Sequence, residues 1–386
     1  MKTTLITDPS YVNTTIARHA GFWNRTGHGS CLRYTGLYSQ SSPISLPQPD
    51  GRQIIEAERV EPAMISPDDM IRRIENYSDD HLNAELALKG EYLVNVGQGD
   101  FLPLALPLMK FPWIEAMMGC PVKITEGQIW DTVHPGDPEE IATDTTDFRD
   151  NPWFELYIEF LKMLQDRLSE RFFISASSNQ RGVSDLAAAI MGASEAATGW
   201  LDRPEFMRRL LRRCTDAVLA VVEASNRVVQ PLHGGYACKW GVWSSDKVVC
   251  TQADHASFVS PEVYREQILP FDREVLASSP KSVIHLHNNG LHHAPALMDL
   301  PELDAIQVWV DPYPSGDRLT YEVEMLHRIM EHKPLILDVY PPRLEESEWL
   351  FQQLPKQGLF FKVWLDRECY SALPEDYPGT DPWLRR

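Results

Sequence analysis

The histidines of this chain are concentrated in one short stretch. Four of the 12 lie in SVIHLHNNGLHH, residues 282–293. His285 and His287 alternate with aliphatic residues, and alternate side chains of a β-strand lie on one face. Two neutral imidazoles on one face can bind a single metal ion, so the pair predicts a metal or catalytic site. A second interpretation, in which both histidines hydrogen-bond to substrate or to neighbouring groups, stays open.

The residues after this pair are expected to leave the strand. Asn288 and Asn289 precede a glycine that breaks the pattern, and both are candidate contacts for a cofactor. His292 and His293 are expected to begin the following helix. Adjacent helical residues point about 100° apart, so at most one of these two faces the site. Surface or capping roles are therefore predicted for both.

A metal site needs further ligands, and the ends of the later predicted strands offer them. Catalytic sites of parallel α/β proteins form at the carboxyl ends of the strands, where side chains from several strands meet. The acidic and thiol side chains at those ends are Asp311, Asp338, Asp366, Glu368 and Cys369.

Two upstream segments carry further candidates. HGGYACKWGVW, residues 233–243, places Tyr236, Trp240 and Trp243 beside a pair of glycines. These aromatic rings are expected either to form the wall of a pocket for a flat or methylated ligand or to pack a long loop. Lys239 between them is interpreted as an anion contact or a surface residue. Asp254 precedes a predicted helix and is a candidate catalytic residue or ligand partner.

The final third of the chain alternates between strand and helix patterns. Such alternation is typical of parallel βα units, which form either a closed barrel or an open sheet. No GxGxxG or GxxxxGK[ST] motif follows any strand, which argues against dinucleotide and nucleoside-triphosphate sites. We predict an α/β fold of the (β/α)8 TIM-barrel type with inserted helices. The predicted strands are KSVIHLH (281–287), LDAIQVWV (303–310), PLILDV (334–339) and GLFFKVWL (358–365).

The first part of the chain has a different composition. Residues 1–35 include apolar side chains at helical spacing and are predicted to form an N-terminal helical arm. Residues 36–69 are rich in Pro, Ser, Gln and Asp, which is typical of a surface excursion. The predicted division is therefore an arm and excursion at 1–70 and a barrel domain at 71–386.

Charge and composition limit the classes of partner. The net charge of −19 repels phosphate backbones, so nucleic-acid binding is not expected. No stretch of about 18 uninterrupted apolar residues is present, so no membrane span is expected. The six cysteines show no CxxC spacing and the first ten residues show no secretory pattern, so a cytoplasmic location is expected.

Several motifs together resemble the uroporphyrinogen decarboxylase superfamily, which includes corrinoid-linked, zinc-dependent methyltransferases. The resemblance extends over roughly residues 90–369 and implies a (β/α)8 barrel with a small-molecule site at the strand carboxyl ends. The segments that carry it are FPWIEAMMGCPV (111–122), GVSDLAAAIMGASEAATGWLDRPEFMRRLL (182–211), QADHASFVSPEVYREQILPFDREV (252–275) and SVIHLHNNGLHHAPALMDLPELDAIQVWV (282–310).

The methyltransferase branch implies a specific set of zinc ligands. Its members bind zinc through a His-x-Cys strand and a distant cysteine. His285 matches the histidine, His287 stands in place of the first cysteine, and Cys369 lies where the second is expected. Imidazole in place of thiolate makes the site less electron-rich but keeps it suitable for zinc. The resemblance also places Asp254 near the site and implies a corrinoid protein or a folate as the methyl carrier, together with pairing into a homodimer.

Three functions are therefore carried forward. The first is zinc-dependent methyl (one-carbon) transfer to or from a small molecule, with His285, His287 and Cys369 as metal ligands and Asp254 and Tyr236 as catalytic residues. In this first function, the cofactor is contacted by Trp240, Trp243, Asn288 and Asn289. The second is a metal-independent decarboxylase of the uroporphyrinogen type, in which the histidines donate protons or hydrogen bonds to a carboxylated substrate. The third is a non-catalytic barrel that binds a corrinoid or tetrapyrrole.

Overall fold

The computed structural model describes most of the chain and places its elements as follows. Its described residues are 9–26, 35–37, 46–47, 53–54, 56–76, 94–95, 100–108, 111–125, 128–176, 181–341 and 343–365. The α-helices are α1 Pro9–Asn24, α2 Pro67–Asn76, α3 Trp113–Met117, α4 Pro138–Thr143, α5 Pro152–Leu168, α6 Val183–Met191, α7 Ala193–Asp202, α8 Pro204–Val228, α9 Pro261–Val263, α10 Leu269–Leu276, α11 Ala294–Leu297, α12 Gly316–His332 and α13 Leu344–Gln353.

Several of these helices adjoin shorter helical turns. The 3₁₀ segments are Pro62–Met64, Phe148–Asp150, His255–Phe258 and Asn288–His293, and a π-helical segment, Tyr264–Ile268, joins α9 to α10. The strands are β1 Thr35–Leu37, β2 Leu46–Pro47, β3 Gln53–Ile54, β4 Ala57–Val60, β5 Val94–Asn95, β6 Leu104–Ala105, β7 Val122–Thr125, β8 Gln128–Asp131, β9 Phe173–Ile174, β10 Tyr236–Ala237, β11 Trp243–Ser244, β12 Val248–Gln252, β13 Lys281–His287, β14 Ala305–Val310, β15 Leu335–Val339 and β16 Leu359–Leu365.

A parallel sheet of six strands dominates the fold. Its order is β1-β16-β15-β14-β13-β12, and all five of its strand pairs are parallel. Helices connect consecutive strands, as parallel neighbours require. The four predicted strands of the last third are confirmed as β13 to β16. The structure is thus α/β with a parallel sheet.

The remaining strands form smaller sheets, and the described residues contain no closed ring of strands. β5, β6 and β9 make a separate sheet in which β6 and β9 are parallel. β4, β7 and β8 form an antiparallel sheet. Two segments of the predicted excursion at 36–69 therefore pair with the rest of the chain, since β1 lies beside β16 and β4 beside β7.

The large sheet is buried on both faces, which explains its continuous apolar strands. One face carries Ile284, Leu286 and Val308, and packs against the surrounding helices. The opposite face carries Val283 and Phe360, and packs against α1 and the β10–β11 hairpin. We refer to this second face as the inner face. His285 lies on it, so the predicted alternation of histidine and aliphatic side chains is confirmed.

The starts of two helices, α8 and α9, follow from local sequence. Ser260 accepts a hydrogen bond from the backbone N–H of Val263, and Pro261 occupies the first position of α9. Pro204 likewise begins α8. Both positions suit proline because the first N–H of a helix has no partner within it. The sequence alone predicts both starts, from Ser260 as a cap and from the prolines in the first turn, and both predictions are confirmed. Among the described helices, none is both long and apolar enough for a bilayer crossing.

Candidate metal centre

Three neighbouring parallel strands deliver polar side chains to one place on the inner face. Gln252 at the end of β12 is in register with His285 on β13, and His285 is in register with Gln307 on β14. His287 lies two residues further along β13, in register with Trp309. Because parallel strands present registered residues on the same face, these side chains form a polar layer at the carboxyl ends of the strands.

Asp254 joins the two histidines directly after β12. Its Oδ1 lies 3.4 Å from Nε2 of His285, and its Oδ2 lies 4.0 Å from Nε2 of His287. One ligand atom from each residue lies within 4.8 Å of the other two. We call Asp254, His285 and His287 the triad. The sequence offered Asp254 as a ligand partner, and the structure places it beside both histidines.

The protonation of His285 is set by its neighbours. The Nε2 of Gln307 donates a hydrogen bond to Oδ2 of Asp338 at 2.8 Å. The Oε1 of Gln307 therefore faces Nδ1 of His285. The Nδ1–H of His285 therefore donates to that oxygen, and the unprotonated Nε2 faces Asp254. Histidines that bind metals commonly donate their other N–H to such an acceptor, which fixes the ring orientation and the tautomer.

Burial supports the neutral form of His285. The residue is 7% exposed, and burial, together with the positive charges of His287 and Lys239, lowers its pKa to about 3. A neutral imidazole at physiological pH is the form that binds a metal ion. Burial raises the pKa of Asp254, whereas the nearby charges of His287, Lys239 and Arg181 oppose that rise.

Gln252 and Asp185 hold the carboxylate of Asp254 in place. Gln252 Nε2 donates to Oδ2 of Asp254 at 2.9 Å and to Oδ2 of Asp185 at 3.0 Å. Asp185 also accepts from the backbone N–H groups of Gly182 and His255. From the sequence GVSDL (182–186), Asp185 is predicted to cap a helix instead of binding a ligand. This is correct in part, because its carboxylate accepts from the N–H of Gly182 before α6 but also supports the triad through Gln252.

The triad fits a divalent metal ion with nitrogen and oxygen ligands. A tetrahedral zinc ion with ligands at about 2.1 Å separates neighbouring ligand atoms by about 3.4 Å. The distance between Asp254 Oδ1 and His285 Nε2 has this value. Asp254 Oδ1 is buried without a hydrogen-bond partner, so one strong acceptor lacks a cation. His287 and Asp254 retain 36% and 35% side-chain exposure, which leaves a route for substrate.

Aromatic rings flank the triad on both sides. Trp240 stacks on His285 with 6.3 Å between ring centroids, and Trp309 stacks on His287 with 6.5 Å. Trp364 continues the second stack, 5.6 Å from Trp309, and donates from Nε1 to Asp338. The predicted aromatic wall is therefore present at Trp240, and Trp309 and Trp364 belong to the same wall. Sequence reasoning did not select these two, although both alternate on the histidine face of their strands.

The other predicted site residues occupy different places. The ring of Tyr236 lies under the ammonium group of Lys247, which directly precedes β12. Tyr236 is therefore near the opposite end of β12 from Gln252. Trp243 is hydrogen-bonded to α1 through its backbone. Its backbone N–H donates to Nδ1 of His19, and its backbone carbonyl accepts from the indole N–H of Trp23. The structure does not bring either one to the triad.

The residues that follow His287 divide into buried and exposed ones. Asn288 is buried and donates from Nδ2 to both carboxylate oxygens of Glu322, whereas Asn289 is exposed. Asn288 thus fixes the end of β13 to α12. Cys369, together with Asp366 and Glu368, lies outside the described residues.

Two secondary predictions are corrected or refined by the structure. His293 is fully buried, with Nε2 donating to the carbonyl of Ala256 at 2.7 Å, so a surface role is wrong. It does occupy the N-cap position of α11, but its side chain makes no capping hydrogen bond. The 3₁₀ turn at 288–293 rotates it toward the segment after β12. His292 is partly exposed, in agreement with the prediction.

Two grooves of about 740 and 370 Å³ also occur on the surface, and neither contains a triad residue. They share Arg213 and Phe148, whose guanidinium and ring are stacked at 3.7 Å. Their walls are formed mainly by ion pairs, and the buried nitrogen without a hydrogen-bond partner there, Nε of Arg213, belongs to a cation and cannot bind a metal ion. The chemistry of the side chains therefore places the candidate site at the triad.

Replacing Gln307 by leucine is expected to weaken zinc binding by about 10- to 100-fold, because His285 loses the acceptor that fixes its ring and tautomer. The measurement is a competition titration against a chromophoric chelator. Gln352→Leu, on the exposed side of α13, is the matched control and is expected to leave the affinity unchanged. Equal zinc affinity in Gln307→Leu and wild type would show that this hydrogen bond does not orient the ligand.

Comparison with known proteins adds a likeness in fold. No family model and no curated protein matches the chain. A solved structure of a methyltransferase from Methanosarcina mazei is similar, with a TM-score of 0.56 and 12% identity, over 96% of this chain and 95% of that one. At this identity the likeness concerns the fold alone. It extends along nearly the whole of both chains, so the parallel sheet and its surrounding helices belong to a shared overall arrangement.

Proposed function

We propose that this protein is a zinc-dependent enzyme that transfers a methyl group to or from a small molecule. The observation that carries the proposal is the convergence of Asp254, His285 and His287, with a buried unpartnered carboxylate oxygen, at the carboxyl ends of parallel strands. Three protein ligands with a remaining open position are typical of catalytic zinc sites. The overall likeness to a solved methyltransferase supports methyl transfer as the reaction class.

Zinc held by the triad would supply a Lewis acid that lowers the pKa of a bound thiol or hydroxyl group. The residues of this chain have separate roles. Asp254, His285 and His287 hold the ion, and Gln307 keeps Nε2 of His285 unprotonated. Trp240 and Trp309 cover the two histidine rings and exclude water from the reacting groups. We propose Cys369, which follows β16 in the sequence, as a further ligand that would occupy the fourth position until the substrate displaces it.

The finer fold and partner assignments belong to the same proposal. The parallel sheet is proposed to be part of a (β/α)8 barrel of the uroporphyrinogen decarboxylase superfamily, built by residues 71–386 and preceded by the arm at 1–70. The methyl carrier is proposed to be a corrinoid on a partner protein, or a folate. Support comes from the sequence motifs and from the position of the triad at the carboxyl ends of β12 and β13, where such barrels bind their substrates.

Methyl transfer is tested with methylcobalamin as donor and a panel of small thiols and phenols as acceptors. We expect zinc-loaded protein to convert methylcobalamin to cob(I)alamin, seen by its absorption spectrum, with formation of the methylated acceptor. His287→Ala is expected to lose at least about 100-fold in rate, because one ligand is removed. His292→Ala, in the same segment but outside the triad, is the matched control.

Activity that survives complete removal of zinc would contradict the proposal. Release of carbon dioxide from a carboxylated substrate by the metal-free protein would instead support the decarboxylase alternative. ARHAGFW, residues 17–23, has only a passing likeness to the arginine motif with which that family holds substrate carboxylates, and the grouped ligand atoms of the triad support the metal-dependent reaction.

A further inference from the structure

Lys239 lies at the tip of a hairpin that points toward the triad. The hairpin joins β10 to β11 and is closed by a hydrogen bond of 2.8 Å from the N–H of Gly241 to the carbonyl of Cys238. Gly241 has φ +77°, and a Cβ there would lie 3.1 Å from the backbone of Leu102. The turn is therefore held in one conformation, and it presents Lys239 and Trp240 together.

The ammonium group of Lys239 is part of the electrostatic environment of the triad. Its Nζ lies 4.6 Å from the ring centroid of Trp240, and Trp240 stacks on His285. Its charge acts on Asp254 and on His285. Burial lowers the pKa of Lys239, and the carboxylate of Asp254 is among the groups that oppose this shift.

Among the described residues, Lys239 makes no hydrogen bond or ion pair of its own. The other cations around the site have anionic partners. Arg181 contacts Glu115 at 2.6 Å and Asp131 at 2.8 Å. Lys362 contacts Asp338 at 3.5 Å. Lys239 is partly buried, and an ammonium group that is partly withdrawn from water and has only an aromatic ring beside it gains from an anionic partner, so the position of Lys239 suits an anion.

We propose that Lys239 binds a monoanionic group, a carboxylate or a sulfonate, on the substrate of the triad. The inference rests on the proposed function for the reaction, but anion binding itself does not require turnover. One ammonium compensates one negative charge, and the carboxylates of Asp185 and Asp254 nearby would repel a dianion such as phosphate. The rings of Trp240 and Trp309 favour a flat group attached to the anion.

The experiment compares benzoate with benzamide, which has nearly the same shape and no charge. Both are titrated calorimetrically into full-length protein, with and without zinc. We expect wild type to bind benzoate at least about tenfold more tightly than benzamide, because the hydrogen-bonded ion pair with a partly buried lysine is charge-assisted. In Lys239→Met this preference is expected to vanish, and in Lys239→Arg part of it is retained. Lys247→Met, which removes another lysine that lies over an aromatic ring, is the matched control.

Equal binding of benzoate and benzamide by wild type would overturn the inference, and this comparison needs no variant to fold. An undiminished preference for benzoate in Lys239→Met would also overturn it, because the anion would then bind elsewhere, for example at the metal. A preference that depends on Lys239 in zinc-free protein would support the inference even if the triad bound no metal. Zinc content, measured separately, decides the proposed function.

Discussion

Replacing His285 by alanine is expected to lower the affinity for zinc by at least about 100-fold. A structural zinc site is stabilised by about 10–16 kcal/mol through four ligands, so each ligand contributes roughly 3 kcal/mol, and 1.4 kcal/mol corresponds to tenfold. His285 is the most strongly constrained of the three, since Gln307 and Asp338 fix its ring and Trp240 covers it. A competition titration with a chromophoric chelator measures the change.

His292→Ala is the matched control for that substitution, because it removes an imidazole from the same segment outside the triad. Its zinc affinity is expected to equal that of wild type. Circular dichroism of His285→Ala establishes whether the variant is folded. Should the folded His285→Ala variant bind zinc as tightly as wild type does, the triad would not be the metal site.

Replacing Phe22 by alanine is expected to lower the free energy of unfolding by roughly 3–5 kcal/mol. Phe22 is fully buried, and its ring packs edge-on against Phe360 of β16 at 4.8 Å. The substitution removes a large side chain from the inner face and leaves a cavity between α1 and the sheet. Chemical denaturation measures the change, provided that unfolding is reversible.

Phe258→Ala is the control for Phe22→Ala, because Phe258 is 69% exposed. Its free energy of unfolding is expected to change by less than about 0.5 kcal/mol. An effect of Phe22→Ala as small as that of Phe258→Ala would mean that α1 does not fill the inner face. The zinc affinity of Phe22→Ala is expected to stay near that of wild type, since Phe22 packs on Phe360 of β16 and is not a member of the triad.

The strands of the last third could be predicted because several periodic signals agree there. In KSVIHLH, alternation identifies the strand, and the Asn-Asn-Gly that follows identifies its end. The face of His285 and His287 follows from the same alternation. β12 was not predicted, because VVCTQ is a short buried run directly after a loop, and such a run carries no periodicity of its own.

The short strands of the first half could be predicted only in part. The segments EYLVNV (91–96) and RFFISAS (171–177) are strand-like in sequence and contain β5 and β9, whereas β6 carries no such signal. All three strands have two residues, so their pairing depends on tertiary contacts that propensity does not encode. The position of Asp254 beside the histidines also depends on tertiary contacts. It follows β12 in a helical backbone conformation, and only the register of β12 with β13 brings its carboxylate to the histidines. Lys239 could likewise be selected from the sequence. That it makes no hydrogen bond or ion pair with the described residues is visible only in the structure.

The metal content of the purified protein tests the central claim most directly. Wild type, grown with zinc, iron and cobalt available and purified without chelators, is analysed by mass spectrometry of its metals beside the His285→Ala, His287→Ala double variant. We predict about one zinc ion per wild-type chain and almost none in the double variant. Less than about 0.2 zinc per wild-type chain, iron in place of zinc, or zinc retained by the double variant would contradict the account.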